Sequence, residues 1–287
     1  MSRLVLGVIT AAILAGALCA GPAFAGDDKG VPRVVAFGGS CPGCALSRRK
    51  LTGAAFTGGD FGRARLNDSD LRGATFTAAN FSGADFSRAD LRSASLLGVN
   101  FSGANFSDAR MDGLEGAGPN FAGAVLRRAR LSSAQLIGAN FSNASLQDAK
   151  LDSAELTGSN FVGADAQRAN FHSAELTGAR LMHGKFQDAS FRGADLEAAD
   201  LSGGDFSRAD FRGASLDGAR LYGADMAWAQ GLDQEQLSTA CADSSTRLPS
   251  GITARACKGP ARFRPPSPPA PPAPPAPPAP PAPVARR

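Results

Sequence analysis

The sequence contains few of the residues that usually carry out catalysis or bind metals. Among its 287 residues there are two histidines, one tryptophan and one tyrosine. Phosphate-binding glycine loops, nucleophile elbows and clusters of metal ligands are not recognisable in it. The histidines, His172 and His183, lie in a repeated region at positions that are predicted to face outward. We therefore expect no catalytic residues, no cofactor and no bound metal, and the protein is predicted not to be an enzyme.

Long hydrophobic runs are also missing, except at the amino terminus. An apolar run from 4 to 18 follows Arg3, and small residues suited to cleavage occur at Ala23 and Ala25. This pattern is typical of a secretory signal peptide, and the run is short for a membrane span. We therefore expect a bacterial protein that is periplasmic or secreted, with no transmembrane segment in the mature chain.

The excess of charge is small. The formal net charge is +4 and the isoelectric point is about 9.0. A mild positive balance does not by itself favour nucleic acid as a partner, and none is predicted.

A large apolar residue recurs at every fifth position from Leu51 to Met226, and this series dominates the sequence. Only Gly116 and Ala166 interrupt a run of Leu, Phe and Met. Helices repeat every 3.6 residues and strands every two, so neither explains a period of five. Strict repetition instead predicts a solenoid whose units bury their apolar faces against their neighbours.

The repeated unit resembles that of the pentapeptide-repeat family, which has a small residue, Asp or Asn, Leu or Phe, and then two polar residues. Residues 84–88, Ala-Asp-Phe-Ser-Arg, and residues 194–198, Ala-Asp-Leu-Glu-Ala, match this pattern directly. The resemblance implies an all-β fold, a right-handed four-sided β-helix. Each pentapeptide would form one side, and twenty residues would form one coil.

Sorting the apolar series by twenties supports this coil independently. One column is Phe from 61 to 161 and then Leu, whereas the opposite column is Leu or Met from 51 to 151 and then Phe. Phe and Leu exchange columns at the same point of the series, so the interior volume stays roughly constant, as a close-packed core requires.

The two interruptions of the series have opposite expected causes. Ala166 lies where the two Phe columns overlap, and it is predicted to make room for the extra ring. Gly116 leaves a gap, which the bulkier Leu114 and Pro119 are predicted to refill.

Four cysteines follow the predicted signal peptide: Cys41, Cys44, Cys241 and Cys257. An even number in an exported chain favours disulfide bonds, and we predict the pairs Cys41–Cys44 and Cys241–Cys257. The first pair also has the spacing of a redox-active site or of half a zinc site. However, no second CxxC and no nearby histidine complete a zinc set. The repeat places Cys41 and Cys44 at inward positions of the first coil.

A short helix is predicted to cover the carboxyl-terminal end of the solenoid. Asp233 can cap this helix, and Gln236 three residues later can complete a capping box. The Pro-Pro-Ala repeats from 265 to 283 predict a disordered, polyproline-type tail. The expected organisation is a signal peptide at 1–25, an N-terminal cap at 26–45, the β-helix at 46–230, a C-terminal helix and Cys-bracketed cap at 231–260, and the Pro/Ala-rich tail at 261–287.

Two outward columns are predicted to hold neighbouring coils in register. Arg and Asp alternate at intervals of twenty from Arg48 to Arg208, and Asn repeats at the same interval from Asn80 to Asn160. Stacked side chains of these kinds stabilise strand pairing and fix its register.

One side of the predicted solenoid has no Lys or Arg, and the adjacent side is comparatively basic. The uncharged side carries a column that we call the strip: Thr57, Thr77, Leu97, Ile137, Thr157 and Thr177. A column of glycines beside the strip would leave the backbone approachable. A flat surface with two exposed aliphatic side chains is a candidate docking surface.

These features predict a non-enzymatic exported scaffold or protein-interaction module. Its partner would be an unknown protein or envelope component, or a second copy of the chain. The family resemblance implies one alternative, a DNA-mimicking protein that protects type II topoisomerases from quinolones, although this chain is exported and mildly basic. A second alternative is binding to an ordered surface such as ice through the Thr column, which Leu97, Ala117 and Ile137 interrupt.

Overall fold

A parallel β-solenoid forms the part of the chain that the computed structural model describes, residues 36–257. The predicted signal peptide and the predicted disordered tail lie outside these residues. None of the elements between 36 and 257 is a helix of the length and hydrophobicity that crossing a bilayer requires.

Backbone pairing joins each outward residue to the residue twenty positions later. The series of parallel bridges runs from the pair Ala45–Arg65 to the pair Asp210–Gln230, with one bridge at every fifth position. Four such positions occur in each coil, one for each side. The twenty-residue coil and the four-sided solenoid that the sequence predicts are therefore confirmed.

One side of the solenoid is a six-stranded parallel sheet in the order β1 to β6. A separate pair of strands, β7 and β8, lies near the carboxyl-terminal end and is also parallel. The strands are β1 (Ala36–Gly38), β2 (Ala55–Thr57), β3 (Thr75–Thr77), β4 (Ser95–Leu97), β5 (Glu115–Ala117), β6 (Gln135–Ile137), β7 (Cys241–Ala242) and β8 (Arg255–Ala256).

The sheet gives way to tight turns along this side after β6. The amide of Ala139 donates to the carbonyl of Leu136 at 3.2 Å and closes a turn of the kind that forms the other three sides. One coil earlier the equivalent residue is Pro119, which has no N–H to donate. The more extended conformation of β5 does not need this hydrogen bond.

The large apolar residues of the five-residue series fill the interior. Phe141 stacks between Phe121 and Phe161, with ring centroids 5.1 and 4.8 Å apart. The aromatic column then changes sides, and Phe161 meets Phe171 edge-on at 5.9 Å. Ala166 lies between these two residues in the five-residue series and is fully buried. The predicted exchange of volume between the two columns is confirmed.

The gap expected at Gly116 is filled. A Cβ atom added there would lie 2.8 Å from the carbonyl oxygen of Leu96 and 3.4 Å from a methyl carbon of Leu136. Leu114 and Pro119 are both buried beside it, as the sequence predicts. The coil has drawn in around the missing side chain, so no cavity remains for a larger residue.

The predicted carboxyl-terminal helix does not form. Asp233 and Gln236 make the reciprocal capping hydrogen bonds, both 2.9 Å long, but residues 234–237 are a single turn. The side chain of Gln236 then donates to carbonyls of the last coil, at Phe211 and Ala214. The amide of Cys241 returns the chain to parallel pairing with that coil. Pairing with the open end of the solenoid has therefore replaced helix propagation, which is marginal for a short segment.

Candidate functional site

The strip is a single outward column on the sheet side of the solenoid. Strand pairing places Thr57 beside Thr77 and Thr77 beside Leu97, and Ala117 then separates Leu97 from Ile137. Thr157 and Thr177 continue the column beyond β6 and are half-buried. The structure thus brings all six predicted residues together. Whether they bind anything remains a prediction.

Two aliphatic side chains project from the strip around a shallow depression. The exposed fractions of Leu97 and Ile137 are 57% and 48%, unusually high for such residues. Gly116 and Ala117 lie between them and form the floor of the depression, whose rim is lined by Ser95, Glu115 and Gln135. The two aliphatic side chains and the depression together form an exposed apolar surface on this side.

The same side of the solenoid becomes acidic toward the carboxyl terminus. Three carboxylates stack in register in the outward column one residue before the large apolar residues of this side: Glu155, Glu175 and Asp195. Glu197 and Asp217 extend the acidic region in the strip column itself, and none of the five forms an ion pair with another described residue. The stacked carboxylates lie in the column next to the strip and were not predicted from the sequence. Sorting the preceding column by twenties would have found them.

The glycine column beside the strip has a conformational cause. Gly58 and Gly138 adopt φ values of 64° and 65°, in the left-handed region that favours glycine. The same position on another side of the solenoid has positive φ even when it is occupied by Arg48 or Asp68. The turn therefore requires this backbone conformation throughout the solenoid. The glycines alone do not indicate a docking surface.

The predicted ladder of opposite charges consists of separate ion pairs. Each Arg reaches back to the Asp of the preceding coil with two hydrogen bonds, 2.6 to 2.9 Å long. The pairs are Asp68–Arg88, Asp108–Arg128, Asp148–Arg168 and Asp188–Arg208. Bidentate geometry fixes the relative position of two coils, although exposed pairs contribute little stability individually.

Replacing Arg88 with Gln is expected to raise the pKa of Asp68. The hydrogen bonds from Arg88, with a smaller contribution from Asn67, lower the pKa of this carboxyl to about 2. The folded-state pKa lies below the unfolded value of about 3.9, so the pair stabilises the fold above that pH and loses its effect as the pH falls toward 2. Carboxyl ¹³C NMR titration would measure the change. Arg168→Gln, in the Asp148–Arg168 pair five coils away from Asp68, should leave Asp68 unchanged, and an unchanged Asp68 in Arg88→Gln would contradict the prediction.

The asparagine column forms a continuous chain of amides. From Asn80 to Asn160, each side-chain amide donates to the carbonyl oxygen of the amide one coil earlier at 2.9 to 3.2 Å. Asn80 begins the chain by donating to Asp60 at 2.8 Å. This arrangement accounts for the column as a stacking device.

Half of the positive residues on the basic side of the solenoid form ion pairs. Arg72, Arg92 and Arg212 each bind the aspartate two residues earlier, and Arg130 lies 3.3 Å from Asp112. Four of the eight positive residues on this side therefore form intramolecular ion pairs, and the other four, Lys50, Arg110, Lys150 and Arg192, form none with another described residue.

The histidines are exposed on different sides of the solenoid, as predicted. Nδ1 of His172 lies 2.9 Å from the carbonyl oxygen of Arg192, whereas His183 belongs to a turn on another side. Within residues 36–257, no three His, Cys, Asp or Glu side chains are grouped in a way that could hold a metal ion.

The structure brings each predicted cysteine pair together. The Cα atoms of Cys41 and Cys44 are 5.5 Å apart, and those of Cys241 and Cys257 are 5.3 Å apart. Both distances lie in the range that disulfide bonds require. Cys44 packs against the core, but Cys41 is exposed at the first coil, so only one of the two predicted inward thiols is covered. The state of the four thiols remains a prediction.

The fold and its surface define the class of protein, a parallel β-solenoid that presents side chains in outward columns. The family model described as pentapeptide repeats matches residues 50–88, 149–188 and 189–226, and the model described as a pentapeptide repeat region matches residues 84–161. These matches cover more than half of the chain. The protein belongs to the pentapeptide-repeat family.

Similar solved structures include HetL, a pentapeptide repeat protein involved in heterocyst differentiation regulation from the cyanobacterium Nostoc sp. strain PCC 7120. HetL is 29% identical over 74% of this chain and 89% of its own, with a TM-score of 0.31. QnrB1, a plasmid-mediated fluoroquinolone resistance protein, is 19% identical over 74% and 92% of the two chains, with a TM-score of 0.28.

A third similar structure is AT2G44920, a pentapeptide repeat protein from the Arabidopsis thaliana thylakoid lumen. It is 26% identical over 50% of this chain and 72% of its own, with a TM-score of 0.19. No curated protein matches the sequence.

Proposed function

We propose that this protein is an exported, non-enzymatic scaffold that binds a protein or envelope partner through the strip. The observation that carries the proposal is the exposed pair Leu97 and Ile137 around the depression at Gly116 and Ala117. An exposed apolar surface on a side without Lys or Arg matches the composition of interface centres, where charged residues are depleted. Catalysis has no part in the proposal, since binding needs only this surface.

Rigidity of the surface supports this function. The strip residues of β2 to β6 belong to one continuous sheet whose central residues are buried except at Gly116, and backbone pairing fixes their spacing. A surface that is already ordered loses little conformational entropy on binding. The sheet can therefore recognise a partner without rearranging.

The charge distribution narrows the chemistry of the partner. The aliphatic pair lies toward the amino-terminal half of this side, and the unpaired carboxylates from Glu155 to Asp217 lie toward the other half. A complementary partner would carry an apolar patch next to basic side chains. Its association rate should fall as salt is added, because exposed charges are screened.

Export completes the proposal and rests on the sequence. The amino-terminal pattern of Arg3, an apolar run and Ala25 is that of a signal peptide, and two cysteine pairs suit an oxidising compartment. N-terminal sequencing should find a mature chain that begins near Gly26. Retention of Met1 on a cytoplasmic protein would contradict both export and the predicted disulfides.

Replacing both Leu97 and Ile137 with Arg is expected to abolish partner binding without unfolding the protein. Both side chains point outward, so the substitutions should change the free energy of unfolding by no more than about 0.5 kcal/mol each. Partner capture would be measured by crosslinking and pull-down of the mature protein from its envelope fraction. Sedimentation velocity would measure self-association.

A matched control places the same charges on a neighbouring side. Ser102 and Ser142 are partly exposed and are separated by two coils, as Leu97 and Ile137 are. The variant Ser102→Arg with Ser142→Arg should keep wild-type binding. Equal binding by both double variants, with unchanged melting temperatures, would show that the strip is only a solvated side of the solenoid.

A further inference from the structure

The turn that holds Cys41 and Cys44 needs no covalent link. The amide of Cys44 donates to the carbonyl of Cys41 at 3.2 Å, and the amide of Cys41 donates to the next coil at 2.7 Å. One coil later Phe61 and Ala64 occupy the same two positions and close the same turn with a 3.0 Å hydrogen bond. The repeat therefore builds this turn from residues that cannot be crosslinked.

A link between these cysteines would also restrict the unfolded chain very little. The stabilisation from a crosslink grows with the length of the loop that it closes, and Cys41 and Cys44 are only three residues apart. The pair Cys241 and Cys257 is different, because sixteen residues separate its members and they lie in the non-repetitive cap. A purely structural role suits the second pair and leaves the first unexplained.

The two thiols of the first pair differ in access. Cys41 is exposed, whereas its counterpart Phe61 in the next coil is buried. Cys44 is half-buried and packs against the hydrophobic core. An incoming sulfur atom can therefore reach Cys41 more readily than Cys44. Cys41 is therefore the cysteine that an incoming thiolate would attack, and Cys44 is its internal partner.

The sequence that follows the pair is rich in positive charge. Between 41 and 65 the chain has five cations and one carboxylate, Asp60. The backbone amide of Arg65 donates to the carbonyl of Cys44 at 2.8 Å, so the backbone of one of these cationic residues lies beside the pair in the next coil. Nearby positive charge favours the thiolate form of a cysteine, the form that attacks and leaves in exchange reactions.

We propose that Cys41 and Cys44 form a thiol–disulfide exchange site for the cysteines of another protein. A partner thiolate attacks Sγ of Cys41, the Cys41–Cys44 bond breaks, and Cys44 leaves as a thiolate with the electron pair. A second partner thiolate then attacks the partner sulfur of the mixed disulfide and releases Cys41. The partner dithiol loses two electrons and becomes a disulfide, and Cys41 and Cys44 gain two electrons and two protons.

The rigid turn gives this site its reversibility. Cys41 and Cys44, with Cα atoms 5.5 Å apart, lie in a turn closed by the same backbone hydrogen bond that closes the turn of Phe61 and Ala64, which has no crosslink. Opening and closing the bond therefore costs no refolding of the coil. The exchange site does not depend on the strip, which lies on a different side.

Glutathione is the probe for the test, with the mature full-length protein. Equilibration over a range of reduced-to-oxidised glutathione ratios, thiol alkylation and peptide mass mapping should show reversible reduction of Cys41 and Cys44. Reduction of Cys241 and Cys257 should require at least a tenfold more reducing ratio. Joint reduction of both pairs, or no reduction of the first pair, would overturn the proposal.

Two single substitutions separate exchange from a structural role. Cys44→Ser should trap glutathione on Cys41 as a mixed disulfide, whereas Cys41→Ser should leave Cys44 largely unmodified because it is half-buried. Both variants should keep the melting temperature of the parent protein. Equal modification of the two variants, or a large fall in melting temperature in both, would assign the pair to structure alone.

Discussion

Truncating Phe141 to Ala is expected to lower the free energy of unfolding by about 3–5 kcal/mol. Phe141 is fully buried between Phe121 and Phe161, in a column of parallel rings. The amides of Phe121 and Phe141 donate to neighbouring coils at 2.7 Å, so the backbone cannot close around the cavity. Urea unfolding followed by far-UV circular dichroism would measure the loss.

Ser142 provides the control for this prediction, because it is the next residue and faces outward. Ser142→Ala should change stability by no more than about 0.5 kcal/mol. A loss smaller than about 1.5 kcal/mol for Phe141→Ala would mean that the coils can collapse into the space. That outcome would contradict the rigid spacing that the parallel bridges impose.

Replacing Gly116 with Leu, the residue that the repeat prefers, is expected to destabilise the protein. The first added carbon would lie 2.8 Å from the carbonyl oxygen of Leu96 and 3.0 Å from its Cβ. Leu114 is already buried beside this position. Overpacking of this kind typically costs about 1–3 kcal/mol.

A double-mutant cycle tests the cause of this effect. Leu114→Ala in the Gly116→Leu background gives both positions the residues typical of the repeat, and it should recover part of the lost stability. Leu114→Ala alone should destabilise the protein, because it leaves a cavity. Additive losses in the double variant would show that Leu114 does not occupy the space of the missing side chain.

The sequence was sufficient to predict the solenoid because each coil repeats the same packing problem. The column exchange around Ala166 follows from conserving volume at fixed spacing and was confirmed, and Leu114 and Pro119 are buried near Gly116 as predicted. The amide column from Asn80 to Asn160 follows from the same period. These features depend only on which residues lie twenty positions apart.

The features that the sequence did not reveal break this repetition. The capping hydrogen bonds between Asp233 and Gln236 form, but contacts of Gln236 with the last coil decide the path that follows. The change from strands to turns after β6 is likewise a local difference in backbone hydrogen bonding. Such local competition has no signature in the period of the apolar residues.

The candidate site was predicted in part. The column from Thr57 to Thr177 follows from the period, and so does the exposure of Leu97 and Ile137. The depression at Gly116 was not predicted, because it depends on the position of the backbone in this coil. The positive φ of Gly58 was not predicted from the sequence, because it is a property of the turn.

Pairing at intervals of twenty residues also restricts how this chain can change in length during evolution. Gain or loss of one whole coil would shift the height of the solenoid by ~4.8 Å and leave every column on its own side. Gain or loss of a single pentapeptide would instead rotate all later columns onto the adjacent side. The ion pairs, the amide chain and the strip would then each be cut in two. Duplication of complete coils is therefore the route by which such a protein can lengthen while keeping its surfaces intact.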